Sequence, residues 1–552
     1  MTTPNSDTPP TLEQQVSGSS SVDIDTSIPV RGPEHICDEE GPWAQKTVLT
    51  FGNNLSKTSE TIPDYNIIDG GGIRGYASLL VLKHIMTTIR TLKRQPPDPA
   101  LSSRYYSWMG PSSNSSAEAN QDSESVDDYL PCHYFDYIAG TSTGGLSSIM
   151  LGRLRLSVDE ALDTYKAFGN AVFGKPRRFH ERSILWWPRA KYSCRKTRAA
   201  FQDAIHKALK RQHDGVPGDT AVRLPQNADT EPLKYREDRT RTIAISWLIN
   251  KDTGVNKQFV WRSYDHHLSS TSTNSKSWTP PNTGPAHTTA IWVVARATTA
   301  APVYFESIKI GRLKFLDGGM VANNPSLTVL REVRRLHNGV PALFVSIGTG
   351  LKVTDPGPNG ESEEATATTD DSRHKQFLKK YSEILEHWKK WMVDCEGDNG
   401  TNGWNSECEA IELTHHPHHR MHRYRLNVKG KLHTIPLDDW RPCDTGEDTL
   451  RFIQKQTEDY LNEESVADDI NMIAQRAVDI RRRRAAMEQW ERFAVDVTYR
   501  CDTCKNKQYD TRAKLREHFQ QGTEHRGETV LDGRELEMRL NAARTIHPRI
   551  RT

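Results

Sequence analysis

Long hydrophobic runs are what this sequence of 552 residues most plainly lacks. Nothing in it approaches the roughly eighteen consecutive apolar residues that a membrane-spanning helix needs. Its opening, Met1 to Ser20, has neither a basic start nor an apolar stretch, so no signal peptide is expected. An excess of charge of one sign is also missing. Seventy-three Lys and Arg stand against 71 Asp and Glu, a net charge of +2, which argues against a dedicated nucleic-acid binder. Cysteine is sparse: eight in all, of which only Cys501 and Cys504 are closely spaced. That excludes a disulfide-stapled secreted scaffold. The expectation is a cytoplasmic protein, or one peripheral to membranes, with the nucleus as an alternative address.

The apolar fraction, 35%, is low because polar stretches dilute ordinary cores. Residues 1–60 are rich in Ser, Thr, Pro and Asp, cannot offset their ordering entropy by burial, and read as disordered. A strand is expected at Tyr65–Asp69, ending in Gly70-Gly71-Gly72, and an amphipathic helix from Tyr76 to Leu92. The run Tyr134–Ala139 reads as a strand leading into Gly140-Thr141-Ser142-Thr143-Gly144-Gly145, with a helix from Leu146 to Leu154. Further strands are expected at Thr240–Asn250, Gln258–Tyr264, Phe315–Leu316 and Ala342–Ile347, with a helix at Ala290–Ala301. Strands alternating with helices indicate an α/β sheet with parallel pairing. Helices at Lys375–Val393 and Thr449–Phe493 read as a second unit.

Three glycine-marked loops, each directly after a strand, carry the chemistry. Gly140-x-Ser142-x-Gly144 has the form of a nucleophile elbow, which lifts a serine hydroxyl out of a sheet above a helix N-terminus. Flanking side chains would clash there, hence Gly140 and Gly144. The first loop, Gly70-Gly71-Gly72-Ile73-Arg74-Gly75, also satisfies a dinucleotide-binding fingerprint. That reading requires a second strand with an acidic end about twenty residues on, where the chain instead has Lys93, Arg94 and prolines. An oxyanion hole fits better: consecutive glycine amides face a tetrahedral intermediate and Arg74 adds positive potential. In Asp317-Gly318-Gly319, a carboxylate follows the apolar Phe315-Leu316. Desolvation would raise its pKa towards that of a useful base. A turn aspartate capping a helix is the plainer alternative, and a Ser–Asp–His hydrolase is the rival among enzymes.

With these loops in place, the chain resembles the patatin-like phospholipase family from about Tyr65 to Gly350. The resemblance rests on IIDGGGIRGYASLLVL, FDYIAGTSTGGLSSIMLG, ARATTAAPVYF, LDGGMVANNPS and FVSIGTG, in that order. It implies a three-layer α/β/α domain with a mostly parallel sheet, and a Ser142–Asp317 dyad with no histidine. It also implies an oxyanion hole at Gly70–Gly75 and hydrolysis of acyl lipids at a membrane surface without a catalytic cofactor. Every motif is kept, so an active phospholipase A or lysophospholipase is expected. A vestigial scaffold and an acyltransferase using the same dyad are the alternatives. Gln95–Asp128 and Ser183–Leu233 are inserts where a lid or specificity element could lie.

Near the C-terminus, Cys501-x-x-Cys504, Tyr509, Leu515, His518 and His525 have the layout of a two-cysteine, two-histidine zinc finger, so structural zinc is expected. The gap from His518 to His525 is longer than usual. One finger reads only about three base pairs, so a structural or protein-contact role is preferred over DNA binding, although Arg512, Lys514 and Arg516 lie on its helix. Arg481–Arg484 reads as a solvated helix face, with a nuclear address or an anionic-membrane contact as alternatives. His415, His416, His418, His419 and His422 read as a solvated loop or a metal cluster. The expected organisation is 1–60 disordered, 61–352 acyl hydrolase, 353–374 linker, 375–495 helical region, 496–530 finger and 531–552 tail.

Overall fold

Strand residues in this chain alternate between two apolar environments, which requires the sheet to be covered on both faces. Val48, Tyr137, Ala139, Ile243, Ile245 and Phe344 pack into one buried cluster. Their neighbours Leu49, Ile138, Ala244, Leu343 and Val345 pack into the other. The computed structural model describes residues 43–52, 71–94, 129–177, 190–213, 227–250, 256–266, 280–322, 324–350, 401–414, 421–485, 489–494, 497–504, 507–509, 511–521, 525 and 533–546.

In chain order the elements are β1 (Thr47–Phe51), α1 (Gly75–Arg94), β2 (Tyr137–Thr141), α2 (Thr143–Ser148), α3 (Val158–Ala171) and α4 (Cys194–His213). Next come β3 (Arg241–Ile249), β4 (Asn256–Arg262), α5 (Ile291–Thr298), β5 (Ile308–Ile310), β6 (Leu313–Asp317), α6 (Ser326–His337) and β7 (Leu343–Ile347). After them follow α7 (Thr401–Thr414), β8 (His422–Leu426), α8 (Glu447–Leu461), α9 (Glu464–Ala485) and α10 (Gln489–Ala494). The chain ends with β9 (Val497–Arg500), β10 (Gln508–Tyr509), α11 (Arg512–Gln521), α12 (Gly533–Ala542) and β11 (Arg544–Ile546). The first eight strands form one sheet, ordered β5-β6-β3-β2-β1-β7-β8 with β4 paired to β3. It is parallel from β3 through β8 and antiparallel where β4, β5 and β6 join. Helices α1, α3, α5, α8 and α9 contribute to the first-mentioned face's opposite cluster, and α6 and α7 to the other, giving the three-layer α/β/α arrangement.

Pairing along β3 sets up the site. β4 runs along one edge of β3 from Ile243 to Ile249. β2 and β6 must therefore share the other edge, β2 in parallel up to Thr141↔Ile245 and β6 antiparallel from Asp317↔Ser246. Two strands approach from opposite directions and their ends meet. Ser142 follows the last residue of β2, and Asp317 is the last residue of β6.

Three expectations are corrected. The expected strand Tyr65–Asp69 lies outside the described residues, and the stretch read as disordered contains β1. That strand sits mid-sheet, parallel to both β2 and β7. Its sequence, Thr-Val-Leu-Thr-Phe, is β-branched and aromatic, a local signal hidden by composition averaged over sixty residues. Second, the described residues of the expected 375–495 region do not form a separate unit. β8 extends the main sheet, and Ile453, Ile470, Ile473, Ala477 and Val478 bury in the same cluster as Leu82, Ile85 and Ile89 of α1. An amphipathic helix needs a partner for its apolar stripe, and α1 provides one. The expected helix at Lys375–Val393, the linker 353–374 and the insert Gln95–Asp128 lie outside the described residues. Of Ser183–Leu233, α4 and residues 190–193 and 227–233 are described.

Third, Arg481–Arg484 is not a solvated face throughout. Arg484 is buried and makes a two-pronged ion pair with Asp136, Nη2 to Oδ2 at 2.8 Å and Nη1 to Oδ1 at 3.1 Å. It also lies over the Trp43 ring, and buried Arg481 lies over Trp490. Burial alone would raise the Asp136 pKa, but Arg484, Lys46 and the Thr47 N–H hold it below the usual carboxylate value. No helix among the described residues is long and apolar enough to cross a membrane.

Candidate active site

Ser142 stands at a sharp turn between β2 and α2, with φ 57° and ψ −127°. That positive φ is costly for a residue with a side chain and is the mark of a strained functional turn. Space explains the glycines around it. A Cβ on Gly140 would strike the carbonyl of Gly144, and one on Gly144 would lie 2.8 Å from the Phe51 Cβ of β1. Thr298 secures the turn from α5: its hydroxyl accepts from the Ser142 N–H at 3.2 Å and donates to the Ile245 carbonyl at 2.6 Å.

The Ser142 hydroxyl donates to Asp317 Oδ2 at 2.7 Å. The other carboxylate oxygen accepts the Gly319 N–H at 2.7 Å. Ser142 and Asp317 are 8% and 4% exposed. Burial pushes the Asp317 pKa up to about 7, while the Gly319 N–H and the Ser142 hydroxyl restrain the rise. A carboxylate in that range at hydrogen-bond distance from a serine can accept its proton near neutral pH.

The pair opens onto a cavity with apolar walls from Leu146, Phe168, Phe173, Tyr304, Phe305 and Leu437. Its polar lining is Ser142, Thr143, Thr299, Asp317 and Asp438, together with Gly71 and Gly72. Gly71 and Gly72 thus line the cavity, whereas Gly70 lies outside the described residues. Arg74 and Gly75 do not line the cavity. Arg74 is buried, and a buried guanidinium must find acceptors. Its Nε donates to the Ile435 carbonyl at 2.9 Å and its Nη2 to that of His433 at 2.6 Å. Gly75 starts α1 and sits against the Thr143 hydroxyl and Tyr165. No histidine is among the described residues lining the cavity, so the Ser–Asp–His alternative finds no support in the geometry.

Thr298 and Thr299 fall within a motif already singled out, although not as individual residues. Leu437 and Asp438 were missed. They follow Ser142 by almost three hundred positions of chain, and nothing local in Ile435-Pro436-Leu437-Asp438-Asp439-Trp440 marks them.

Residues 67–330 match the patatin-like phospholipase family. Over 231 residues the chain is 30% identical to the calcium-independent phospholipase A2-gamma of Mus musculus, covering 41% of this chain and 25% of that protein. Over 246 residues it is 25% identical to phospholipase A I of Arabidopsis thaliana, covering 40% of this chain and 18% of that protein. A cGAMP-activated phospholipase of Pseudomonas aeruginosa (strain BWHPSA011 / Pa011) is 27% identical over 201 residues, with 36% and 47% covered. The match therefore spans only about a quarter of the mouse relative's length.

A second cluster lies in the small three-stranded sheet β10-β9-β11 with its helices. The donor atoms of Cys501, Cys504, His518 and His525 all lie within 4.8 Å of one another. His525 Nε2 is 3.5 Å from the Cys501 sulfur, 3.6 Å from the Cys504 sulfur and 3.0 Å from His518 Nε2. Zinc bonds of about 2.0–2.3 Å from a tetrahedral centre give edges near these lengths, so the donor set fits the ion. The helix α11 ends at Gln521 and His525 still joins the cluster, which accounts for the long spacing. The module is larger than the expected 496–530: β11 pairs with β9, and Leu536 and Leu540 of α12 bury against Tyr499 and Leu515. Two cysteines and two histidines leave little room for a core, and the added helix supplies apolar area. Arg512 is buried and Arg516 partly so, leaving Lys514 as the exposed cation of that trio. Of the histidine cluster, His415, His416, His418 and His419 lie outside the described residues, and His422 begins β8.

Proposed function

We propose that this protein is a lipid acyl hydrolase of the phospholipase A or lysophospholipase type, using Ser142 as nucleophile and Asp317 as its base. The observation that carries the reading is the 2.7 Å hydrogen bond from the Ser142 hydroxyl to a buried aspartate, at the polar end of an apolar cavity. Ser142 Oγ attacks the ester carbonyl as Asp317 takes its proton. The tetrahedral oxyanion is met by backbone N–H groups of the Gly71–Gly72 loop and by that of Thr143, the residue after the nucleophile. Asp317 returns the proton to the departing alcohol, leaving an acyl-serine. Water, activated by the same carboxylate, then releases the fatty acid. The phenylalanines of the cavity wall suit an acyl chain, whose burial is favourable by about 0.8 kcal/mol per methylene. Substrate is drawn from a membrane surface, with no spanning segment of the described protein involved.

The C-terminal module is proposed to hold a structural zinc through Cys501, Cys504, His518 and His525 and to present a surface to a protein partner. With Arg512 buried, a DNA-reading role has little of the basic face it would need.

The test is hydrolysis of a mixed panel of phospholipids, lysophospholipids and acylglycerols by wild type, Ser142→Ala and Asp317→Asn. Release of fatty acid by wild type alone is the expected result and identifies the substrate class. Turnover retained in Ser142→Ala would overturn the assignment. A folded wild type inert towards the whole panel would turn the reading towards a scaffold or an acyl acceptor other than water.

A further inference from the structure

The cavity is completed by chain that lies well beyond the family match at 67–330. Between β8 and α8, residues 433–440 cross directly over the glycine loop. The Leu437 carbonyl accepts the Ile73 N–H at 2.7 Å. Gly72, at φ +43°, comes so close beneath that a Cβ there would lie 2.8 Å from the Leu437 Cβ. Arg74 holds the same segment through the His433 and Ile435 carbonyls at 2.6 and 2.9 Å. The other end of the segment is anchored to the wall of the cavity. Asp438 Oδ2 accepts the Tyr192 hydroxyl at 2.6 Å and also binds Lys191 Nζ. Trp440 Nε1 donates to Asn170 Oδ1 at 3.1 Å, and its ring packs against Phe173.

We propose that residues 433–440 are a strap that fixes the oxyanion loop, and that Asp438 is the positioning residue that latches the strap. The proposal rests on the hydrolase reading for its catalytic consequence, but not for its structural one. A run of glycines has no side chains with which to pack and is the least rigid backbone available. An oxyanion hole nevertheless works only if its donors are held in place before charge develops. In this protein rigidity is supplied from outside the loop. The strap's carbonyls hold Ile73 and Arg74 on one flank, and the Tyr165 hydroxyl donates to the Gly72 carbonyl on the other. Asp438 gathers an ammonium and a phenol from the segment preceding α4, so the strap cannot lift without breaking both contacts. Its carboxylate is engaged by Lys191 and Tyr192, so its action on the reaction is through the loop.

The experiment compares full-length wild type, Asp438→Asn and Asp438→Ala by hydrogen–deuterium exchange, and by kcat and KM on a soluble p-nitrophenyl ester. Faster exchange in peptides spanning Gly71 to Tyr76 is expected in Asp438→Ala, with peptides from β2 and β7 unchanged. The kcat should fall about tenfold or more, as for other small displacements of catalytic groups, with KM within about twofold. Asp438→Asn keeps an oxygen for the Tyr192 hydroxyl and should recover part of both effects. Loop exchange unchanged in a folded Asp438→Ala or Asp438→Asn protein would overturn the strap. If Asp438→Ala does not fold, Asp438→Asn is judged by the same criterion. A wild type that turns over no ester would count against the hydrolase, while the exchange arm would still decide the strap.

Discussion

The raised pKa of Asp317 makes the pH dependence of the proposed reaction a quantitative test. Its carboxyl titrates at about 7 in place of 3.8 because burial disfavours the charge. Only the ionised form can take the Ser142 proton. With that pKa, about a tenth of the protein is competent at about pH 6 and about a hundredth at about pH 5. The expected profile of kcat/KM on a soluble p-nitrophenyl ester is a tenfold fall per pH unit below about 7 and a plateau above about 8. A soluble ester separates this ionisation from any pH dependence of binding to a lipid surface. Stability must move the other way. A folded-state pKa above the unfolded value contributes stability that is complete below the unfolded pKa and lost as pH rises through the folded one. The shift from 3.8 to about 7 corresponds to about 4 kcal/mol at alkaline pH, at about 1.4 kcal/mol per unit. Asp317→Asn, which carries no charge, should therefore be more stable than wild type above about pH 8 by up to this amount, with the gain vanishing in acid. Urea unfolding at several pH values would measure it. A rate profile flat down to about pH 5, together with an Asn variant no more stable at high pH, would refute the argument.

Further outcomes follow from other parts of the fold. Arg484→Ala strands the buried Asp136 charge, and should cost about 3–5 kcal/mol in chemical denaturation. Gly144→Ala forces a Cβ into Phe51 of β1 and should abolish ester hydrolysis by displacing the elbow, with loss of at least about 2 kcal/mol of stability. Stripping metal with a chelator should open the C-terminal module to proteolysis between about residues 497 and 546, because its core is small without the ion. Cys501→Ser should do the same without chelator. Ester hydrolysis should persist in both cases, and resistance to proteolysis in the chelated protein would contradict a structural zinc.

Much of the candidate site was legible in the sequence because its residues are written in contiguous loops. Gly140-x-Ser142-x-Gly144 and Asp317-Gly318-Gly319 each follow an apolar strand, and a period of two or 3.6 carries as far as one element. What joins elements was not legible. That β2 and β6 meet end to end on one edge of β3 depends on pairing register, which a sequence does not display. Arg74 illustrates the limit: its place in the glycine motif suggests a charge for the oxyanion, yet its acceptors, the carbonyls of His433 and Ile435, lie more than 350 positions away. The same holds for Arg484, whose basic run reads as a surface until Asp136 and Trp43 close over it. β1 is hidden by averaging, and the helices α8 and α9 read as a unit of their own because amphipathicity reveals an apolar face without naming its partner.

The central claim is that Ser142 is an activated nucleophile, and covalent labelling with a fluorophosphonate probe tests it most directly. Wild type, Ser142→Ala and Asp317→Asn would be treated with the probe, and the adduct located by peptide mass spectrometry. The account predicts a single adduct on Ser142, absent from Ser142→Ala and formed far more slowly in Asp317→Asn. A folded wild type that takes up no probe, or takes it up at another residue, would contradict it.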